Sequence, residues 1–433
     1  MSRKNVLFSG LMLFSLFFGA GNLIFPPLLG LESGNNFGPA ITGFLITGVL
    51  LPFMAVMAIS LSENGLISIG SRVHGLFGLI FAIIIYMSIG ALYGIPRASN
   101  VAYELGVKQI VDVDGWLALF LFSLLFFGVT YFISLNPKKI VDHIGQLLTP
   151  ILLLVLALLV IRAFIKFEDI ASPAVGNYAS SPFVKGFVEG YFTMDAVAAL
   201  AFGIVVINAL KDKGATSKSE LVKGTLGAGV IAGLGLAVVY VSLGWIGRVI
   251  PRENDFANGA EILTVASDIL FGSGGGLLFG VIVTLACLTT CVGLINACSR
   301  FFNEIYPKIH YRSYVAIFVL IGLLVSNLGL NTILSLAVPL LVFIYPISIV
   351  LVILSLFQHF AGGGKMMYRL SVSVTAVFAL YEVLTNIGYK MEVLTGVLGV
   401  VPFFEHGLGW ILPAFVAAAV GYGMDKFKGE VQK

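Results

Sequence analysis

Charge is scarce in this chain. Only 11% of its 433 residues are Asp, Glu, Lys or Arg, where an ordinary soluble domain carries about 25%. The net charge of +3 is scattered over many short segments, which excludes the clustered basic patch of a nucleic-acid binder. Cysteine is scarce too. Cys287, Cys291 and Cys298 fall in one apolar segment, within about 40° of one another on a helix. Pairing inside one helix at those spacings is geometrically poor, so no disulfide framework is implied. Five histidines, His74, His143, His310, His359 and His406, fall in predicted loops or at helix ends. That leaves neither a buried histidine relay nor a histidine metal site. No nucleophile–base pair sits at one depth either, so an intramembrane enzyme is not expected, and no cofactor beyond a coupling ion.

Apolar residues are what the chain has. They make up 58% of it, and the mean hydropathy is +1.02. Fifty glycines fit the small-residue contacts of membrane helices. The expectation is an all-α polytopic membrane protein with no cleaved leader. A span needs about 20 apolar residues. Twelve segments qualify: 6–29, 38–61, 75–97, 116–135, 141–164, 183–209, 223–246, 276–299, 313–330, 332–357, 367–386 and 407–424. With both termini on one side, 17 of the 25 basic residues fall on that side and seven on the other, Arg97 being the remaining one. The excess predicts cytoplasmic termini. In the long outer stretch 247–275, Pro251–Asp255 and the tract Gly272–Gly276 read as a loop with a flexible linker.

The first apolar segment is interrupted. Phe17-Phe18-Gly19-Ala20-Gly21-Asn22, followed by Pro26-Pro27, is poor helix interior. A break at membrane depth is tolerated only where it is buried in protein or lines a cavity. Its freed amides and carbonyls then become ligands. A second irregular place is Gly190-Tyr191-Phe192-Thr193-Met194-Asp195. Asp195 lies roughly 18 Å inward from Phe183 at about 1.5 Å per residue. An acid at such depth usually marks a pathway or relay, although it also suits a helix cap. Phe18 is equally deep, counted from the other face. Segments 1 and 6 thus open two sets of five, 6–164 and 183–357, of opposite orientation. That topology is an inverted repeat with its site at the midplane, completed by 367–424 within a single domain of residues 1–433. In segment 8, Ala286, Thr289 and Thr290 share a small face at similar depth. Two hydroxyls there suit a small hard cation, or merely bond the carbonyl one turn back.

The runs Phe18–Pro27, Tyr93–Ala98, Gly190–Ala196 and Ala199–Gly203 resemble signatures of the bacterial branched-chain amino acid:cation symporter family. Length and motif order agree along the chain. That family belongs to the amino acid–polyamine–cation group, and the resemblance implies a LeuT-like fold: five plus five helices, discontinuous helices 1 and 6, and two extra helices. It also implies import of leucine, isoleucine and valine, driven by sodium or by protons, across the bacterial cytoplasmic membrane. The substrate carboxylate would meet amides near Gly19, Ala20, Gly21 and Asn22, and its amine the carbonyls near Phe192, Thr193 and Asp195. Phe18, Ile24, Phe192 and Met194 would line the apolar wall. Sodium would take carbonyls of Phe17 and Ala20 with Ala286, Thr289 and Thr290. The lipid bilayer and the amino acid are the expected partners; no nucleic acid or obligate protein partner is implied.

Arg97 is expected near the outer face, either as a snorkelling arginine or pairing with Glu189 or a backbone carbonyl to close the vestibule. A proton-coupled carrier using Asp195, and a passive channel, are the alternatives. If Asp195 acts electrostatically on the substrate amine, Asp195→Asn will weaken leucine uptake strongly while the purified protein keeps its thermal stability. Near-normal uptake by that variant would dispose of the role.

Overall fold

A computed structural model of the chain describes residues 3–62, 65–108, 115–135, 137–168, 172–212, 214–251, 256–389 and 391–431. Lys213, Arg252, Lys390 and Lys433 of the charge count lie outside them, as do residues 252–255 of the outer loop. The side chains of Arg3, Ala20, Lys138, Lys139 and His143 lie outside them as well. The described residues are helical with short connections and form no sheet. Seven of their helices are long and apolar enough to cross a bilayer, or eight if the pair Pro182–Thr193 and Asp195–Lys211 is one bent span. The chain is a multi-pass membrane protein.

The helices group into two compact units. The first comprises Met1–Val49, Tyr86–Met194 and Gly227–Ser335; the second comprises Leu50–Ile85, Asp195–Leu226 and Leu336–Lys433. In the first unit the long helix Ser273–Ile305 packs against Gly94–Ala102, Pro137–Lys166, Trp116–Ser134 and Tyr311–Ser326. Stacked Tyr86 and Phe301, with ring centroids 3.8 Å apart, fill part of that core. Leu117, Leu124, Leu125 and Phe132 of Trp116–Ser134 are exposed. An exposed apolar stripe of that size is a surface made for lipid.

Close backbone approach holds the first unit together. A Cβ placed on Gly30 would sit 1.7 Å from the Gly244 carbonyl oxygen, and one on Gly259 would sit 1.8 Å from the Ile24 carbonyl oxygen. Both contacts grip the helix Ala20–Ser33, which follows the first break. Small residues are what permit such approach between membrane helices.

In the second unit, Leu51–Leu61 lies on Asp195–Asp212, and Lys365–Asn386 lies on Ile411–Phe427. The last pair is locked by Asp425, fully buried. Its carboxylate accepts from the amides of Met366 (3.0 Å) and Met367 (2.8 Å). Those are first-turn donors with no intrahelical partner, at the positive end of the helix dipole.

Three expectations need correction. First, Pro26 and Pro27 do not break the first segment; they lie inside Ala20–Ser33, and the interruption is confined to Phe18–Gly19. Proline removes a donor, but the neighbouring helices can make good that loss. Second, the Gly272–Gly276 tract is not a linker. Gly272, at φ 69°, closes the helix Gly259–Phe271 through its amide to the Asp268 carbonyl (2.9 Å) and starts Ser273–Ile305. Third, helix continues past Arg97 to Val107, with a kink at Gly90, so the third segment does not end at Arg97.

Gly30→Ala is expected to destabilise the protein by about 1–3 kcal/mol, the usual cost of forced overpacking. Gly38→Ala is the control, because nothing lies within 4 Å of a Cβ there. It should be neutral or slightly stabilising in thermal unfolding of the detergent-solubilised protein; equal melting points for the two would remove the packing argument.

Candidate functional site

The break in the first helix is built by its own residues. Arg3–Phe17 ends, Gly19 adopts an extended conformation (φ −131°, ψ −163°), and Ala20–Ser33 begins. The Gly19 amide donates to Asn22 Oδ1 (2.9 Å), and the Asn22 amide donates to the Gly19 carbonyl (3.2 Å). A side chain three residues into a helix reaching back to the cap amide is half of a capping box. Asn22 Nδ2 in turn donates to the Tyr240 hydroxyl. Asn22 is buried, so both ends of its amide do structural work. The amides of Ala20 and Gly21 stand in the first turn, ahead of any intrahelical acceptor.

The break in segment 6 is a short 3-10 turn, Gly190–Thr193, followed by Met194 at φ 69°. A left-handed conformation in a bulky residue is strained and marks a functional place more often than chance. Thr193 Oγ1 donates back to the Gly190 carbonyl (2.9 Å). Asp195 then opens the helix Asp195–Asp212 as a first-turn acid and is 2% exposed. It begins the second unit.

Arg97 joins the two breaks of the first unit. Its Nη1 donates to the Phe192 carbonyl (2.8 Å) and to the Tyr93 hydroxyl (2.8 Å), and its Nη2 donates to the Thr193 carbonyl (3.2 Å). The guanidinium lies over the Tyr93 ring at 4.4 Å and near the Phe25 ring at 6.0 Å. It is also pressed against the first break: a Cβ on Gly21 would be 2.7 Å from both Nη1 and Nη2. A side chain there would have to displace the guanidinium. Phe25 and Phe192 face one another, with centroids 5.9 Å apart. Arg97 is 6% exposed, and its Nε has no hydrogen-bond partner. The expected pairing of Arg97 with Glu189 is not formed. Glu189 is bonded to Lys185 one turn away on its own helix, while the arginine is drawn to carbonyls that the break has freed.

The first break also meets the long helix Ser273–Ile305. Thr290 Oγ1 donates to the Phe18 carbonyl at 3.3 Å, and Thr290 Cγ2 lies 3.0 Å from where a Gly19 Cβ would be. Thr289 Oγ1 instead donates to the Ala286 carbonyl (2.8 Å). Phe17 and Ala286 are buried, and Thr289 and Thr290 are half-buried. The carbonyl touched by a threonine is thus that of Phe18, one residue past the Phe17 position expected. No group of three or more His, Cys, Asp or Glu side chains that could hold a metal ion occurs among the described residues. A cation here would rely on carbonyl and hydroxyl oxygens, the donor set of hard ions.

Phe18, Gly19, Gly21, Asn22, Phe192, Thr193 and Thr290 therefore cluster around two breaks in one unit. Sequence reasoning missed Tyr93, Tyr240 and Phe25. Tyr93 had a signal, since it stands one helical turn before Arg97. Nothing along the chain ties Tyr240 to Asn22, 218 positions away.

A family profile described as "Branched-chain amino acid transport protein" matches residues 2–428. The branched-chain amino acid permeases BrnQ and BraB of Bacillus subtilis (strain 168) are 42% and 40% identical to the chain. The match covers 99% of the chain and 98% of BrnQ, and 98% of the chain and 96% of BraB. A putative branched-chain amino acid carrier of Staphylococcus aureus (strain MRSA252) is 38% identical, over 97% of this chain and 96% of that one. Among solved structures, Mhp1, a nucleobase-cation-symport-1 family transporter, superposes with a TM-score of 0.63 at 15% identity, covering 98% of this chain and 92% of its own. A manganese transporter of Eremococcus coleocola gives 0.63 at 14% identity, covering 97% and 96%. At that identity the likeness concerns the fold, which is the LeuT-like transporter fold. The relatives are permeases and carriers rather than enzymes, and the chain belongs to the branched-chain amino acid transport protein family.

Proposed function

We propose that this protein imports leucine, isoleucine and valine across the bacterial cytoplasmic membrane by sodium-coupled alternating access. In this reading it has twelve spans in two inverted sets of five plus two, with both termini in the cytoplasm. The observation that carries the sodium assignment is the contact between Thr290 and the Phe18 carbonyl. It sets a hydroxyl and a freed carbonyl side by side, next to the break. Thr289 and the carbonyls of Phe17, Ala20 and Ala286 complete the proposed oxygen set.

The amino acid lies between the two breaks. Its carboxylate takes the first-turn amides of Ala20–Ser33, where the half-helix dipole is positive. Arg97 adds a full charge beside Gly21. Its ammonium takes the Phe192 and Thr193 carbonyls, each of which has a second lone pair beyond the one Arg97 uses. Phe18, Phe25, Phe192 and Met194 supply the apolar wall. One cation moved inward contributes about 2.3 kcal/mol per 100 mV, enough for roughly 50-fold accumulation of a neutral zwitterion at about 1.4 kcal/mol per tenfold.

Proton coupling through Asp195 is the second reading, favoured by the burial of that acid at a helix start. Leucine uptake into proteoliposomes separates the two. An inward sodium gradient without a pH gradient should drive accumulation, and Thr289→Ala with Thr290→Ala should raise the sodium concentration for half-maximal uptake by about tenfold or more. Accumulation driven by a proton gradient alone, indifferent to sodium, would overturn the sodium assignment. Equilibration without accumulation would mean a passive channel.

The anchoring role of Arg97 has its own test. Arg97→Lys retains charge but loses the planar fork that reaches two carbonyls and a hydroxyl together. Leucine KM is expected to rise about tenfold with little change in melting temperature, and Gly21→Ala, which intrudes on the same guanidinium, should act in the same direction. Unchanged KM in both would leave Arg97 a purely structural residue.

A further inference from the structure

The second unit holds a cavity of about 930 Å³ that none of the transport chemistry uses. Five cations line it: Arg72, Lys218, Lys365, Arg369 and Lys428. A single carboxylate, Glu430, lines it with them. The five come from four separate stretches of the chain, so this is convergence in space and not a local charge run. It is costly as it stands, because like charges around one hollow repel and the low-dielectric wall focuses their field.

Two of the cations are fixed in place. Arg72 Nη1 donates to Gln358 Oε1 (2.6 Å) and to the Tyr368 hydroxyl (2.6 Å), and the guanidinium stands 5.4 Å over the Tyr368 ring. Tyr368 is fully buried. Arg369 Nε donates to the Val73 carbonyl (2.9 Å), which leaves its two Nη groups for a ligand. Lys218, Lys365 and Lys428 are exposed and adaptable. A buried acid, Asp425, stands behind Gly364 with its carboxylate turned to the Met366 and Met367 amides. Counted with Glu430, it still leaves the five cations in excess.

We infer that this cavity is a binding site for a phosphate-bearing anion. Preset arginine forks and mobile lysines are the usual pair of devices for phosphate oxygens. All five cations belong to the basic residues whose distribution predicts the cytoplasmic face, and basic pockets on that side of membrane proteins hold anionic lipid headgroups. A lipid headgroup and a free phosphate compound share the chemistry, and the experiment separates them.

The full-length protein is reconstituted in phosphatidylcholine nanodiscs and titrated with phosphatidylglycerol, and separately with inorganic phosphate and with inorganic triphosphate. Binding is read by native mass spectrometry and by the melting temperature. The expected result is saturable retention of phosphatidylglycerol or of a soluble phosphate, weakened by salt. Phosphatidylglycerol retained against millimolar phosphate identifies a lipid site; displacement by the soluble phosphate identifies a soluble-anion site. The triple variant Lys218→Gln, Lys365→Gln, Lys428→Gln changes only exposed side chains and should fold normally. Its affinity should fall about 100-fold, at about fivefold per lost charge. The inference is overturned if no anion binds in preference to phosphatidylcholine, or if the triple variant binds as the parent does.

Discussion

Every peptide group within a bilayer must find a partner inside the protein, and the polar architecture of the first unit follows from that. Two helices are broken in it, and almost every buried polar side chain near the breaks answers a backbone group. Asn22 takes the Gly19 amide, Thr290 covers the Phe18 carbonyl, Thr193 covers Gly190, and Arg97 covers Phe192 and Thr193. A buried donor or acceptor left unmade costs about 1–3 kcal/mol. Without these side chains the breaks would close into continuous helix or admit water.

Arg97 is the most expensive of these solutions. No carboxylate lies within ion-pair distance of it among the described residues, so its charge is met by two carbonyl dipoles, one hydroxyl and two ring faces. Burying a charge costs several kcal/mol even after relaxation, and Nε remains unpaired. The choice of a cation makes sense where an anion is to come and go, and in the proposed function that anion is the substrate carboxylate. The arginine then serves both breaks at once. It holds segment 6 open by its carbonyls and charges the start of Ala20–Ser33 from beside Gly21.

Much of this was legible in the chain because breaks have a local chemistry. Gly19, Gly21 and Asn22 announce the first break, and Gly190 with Asp195 brackets the second. The partners were less legible. The third segment is expected to end at Arg97, yet Ala98–Val107 remains helical. Packing of those ten residues against Ser273–Ile305 overrides their weak local preference. Pro26 and Pro27 erred in the other direction: their local rule is strong, but close packing around Gly30 and Gly259 holds the helix through them. Local rules located the irregularities; tertiary contacts decided what each became.

In the proposed function, the contact at Thr290 links ion binding to the break. As the structure stands, the Thr290 hydroxyl donates to the Phe18 carbonyl, so one lone pair of that carbonyl is engaged and the O–H dipole points its positive end between the two oxygens. A hydroxyl rotates freely to suit its partners. One turn of χ1 or of the O–H bond removes that hydrogen bond, a net loss of about 0.5–1.5 kcal/mol, and exposes two oxygens together. The same applies to Thr289 and the Ala286 carbonyl. A cation arriving there replaces two weak internal bonds with ion–oxygen contacts and fixes the carbonyl end of Arg3–Phe17 against Ser273–Ile305. Because the half-helix begins two residues later, at Ala20, fixing that end would also fix the amides offered to a carboxylate. In the proposed function, ion binding and substrate binding would be coupled through four residues of backbone, with no longer path required.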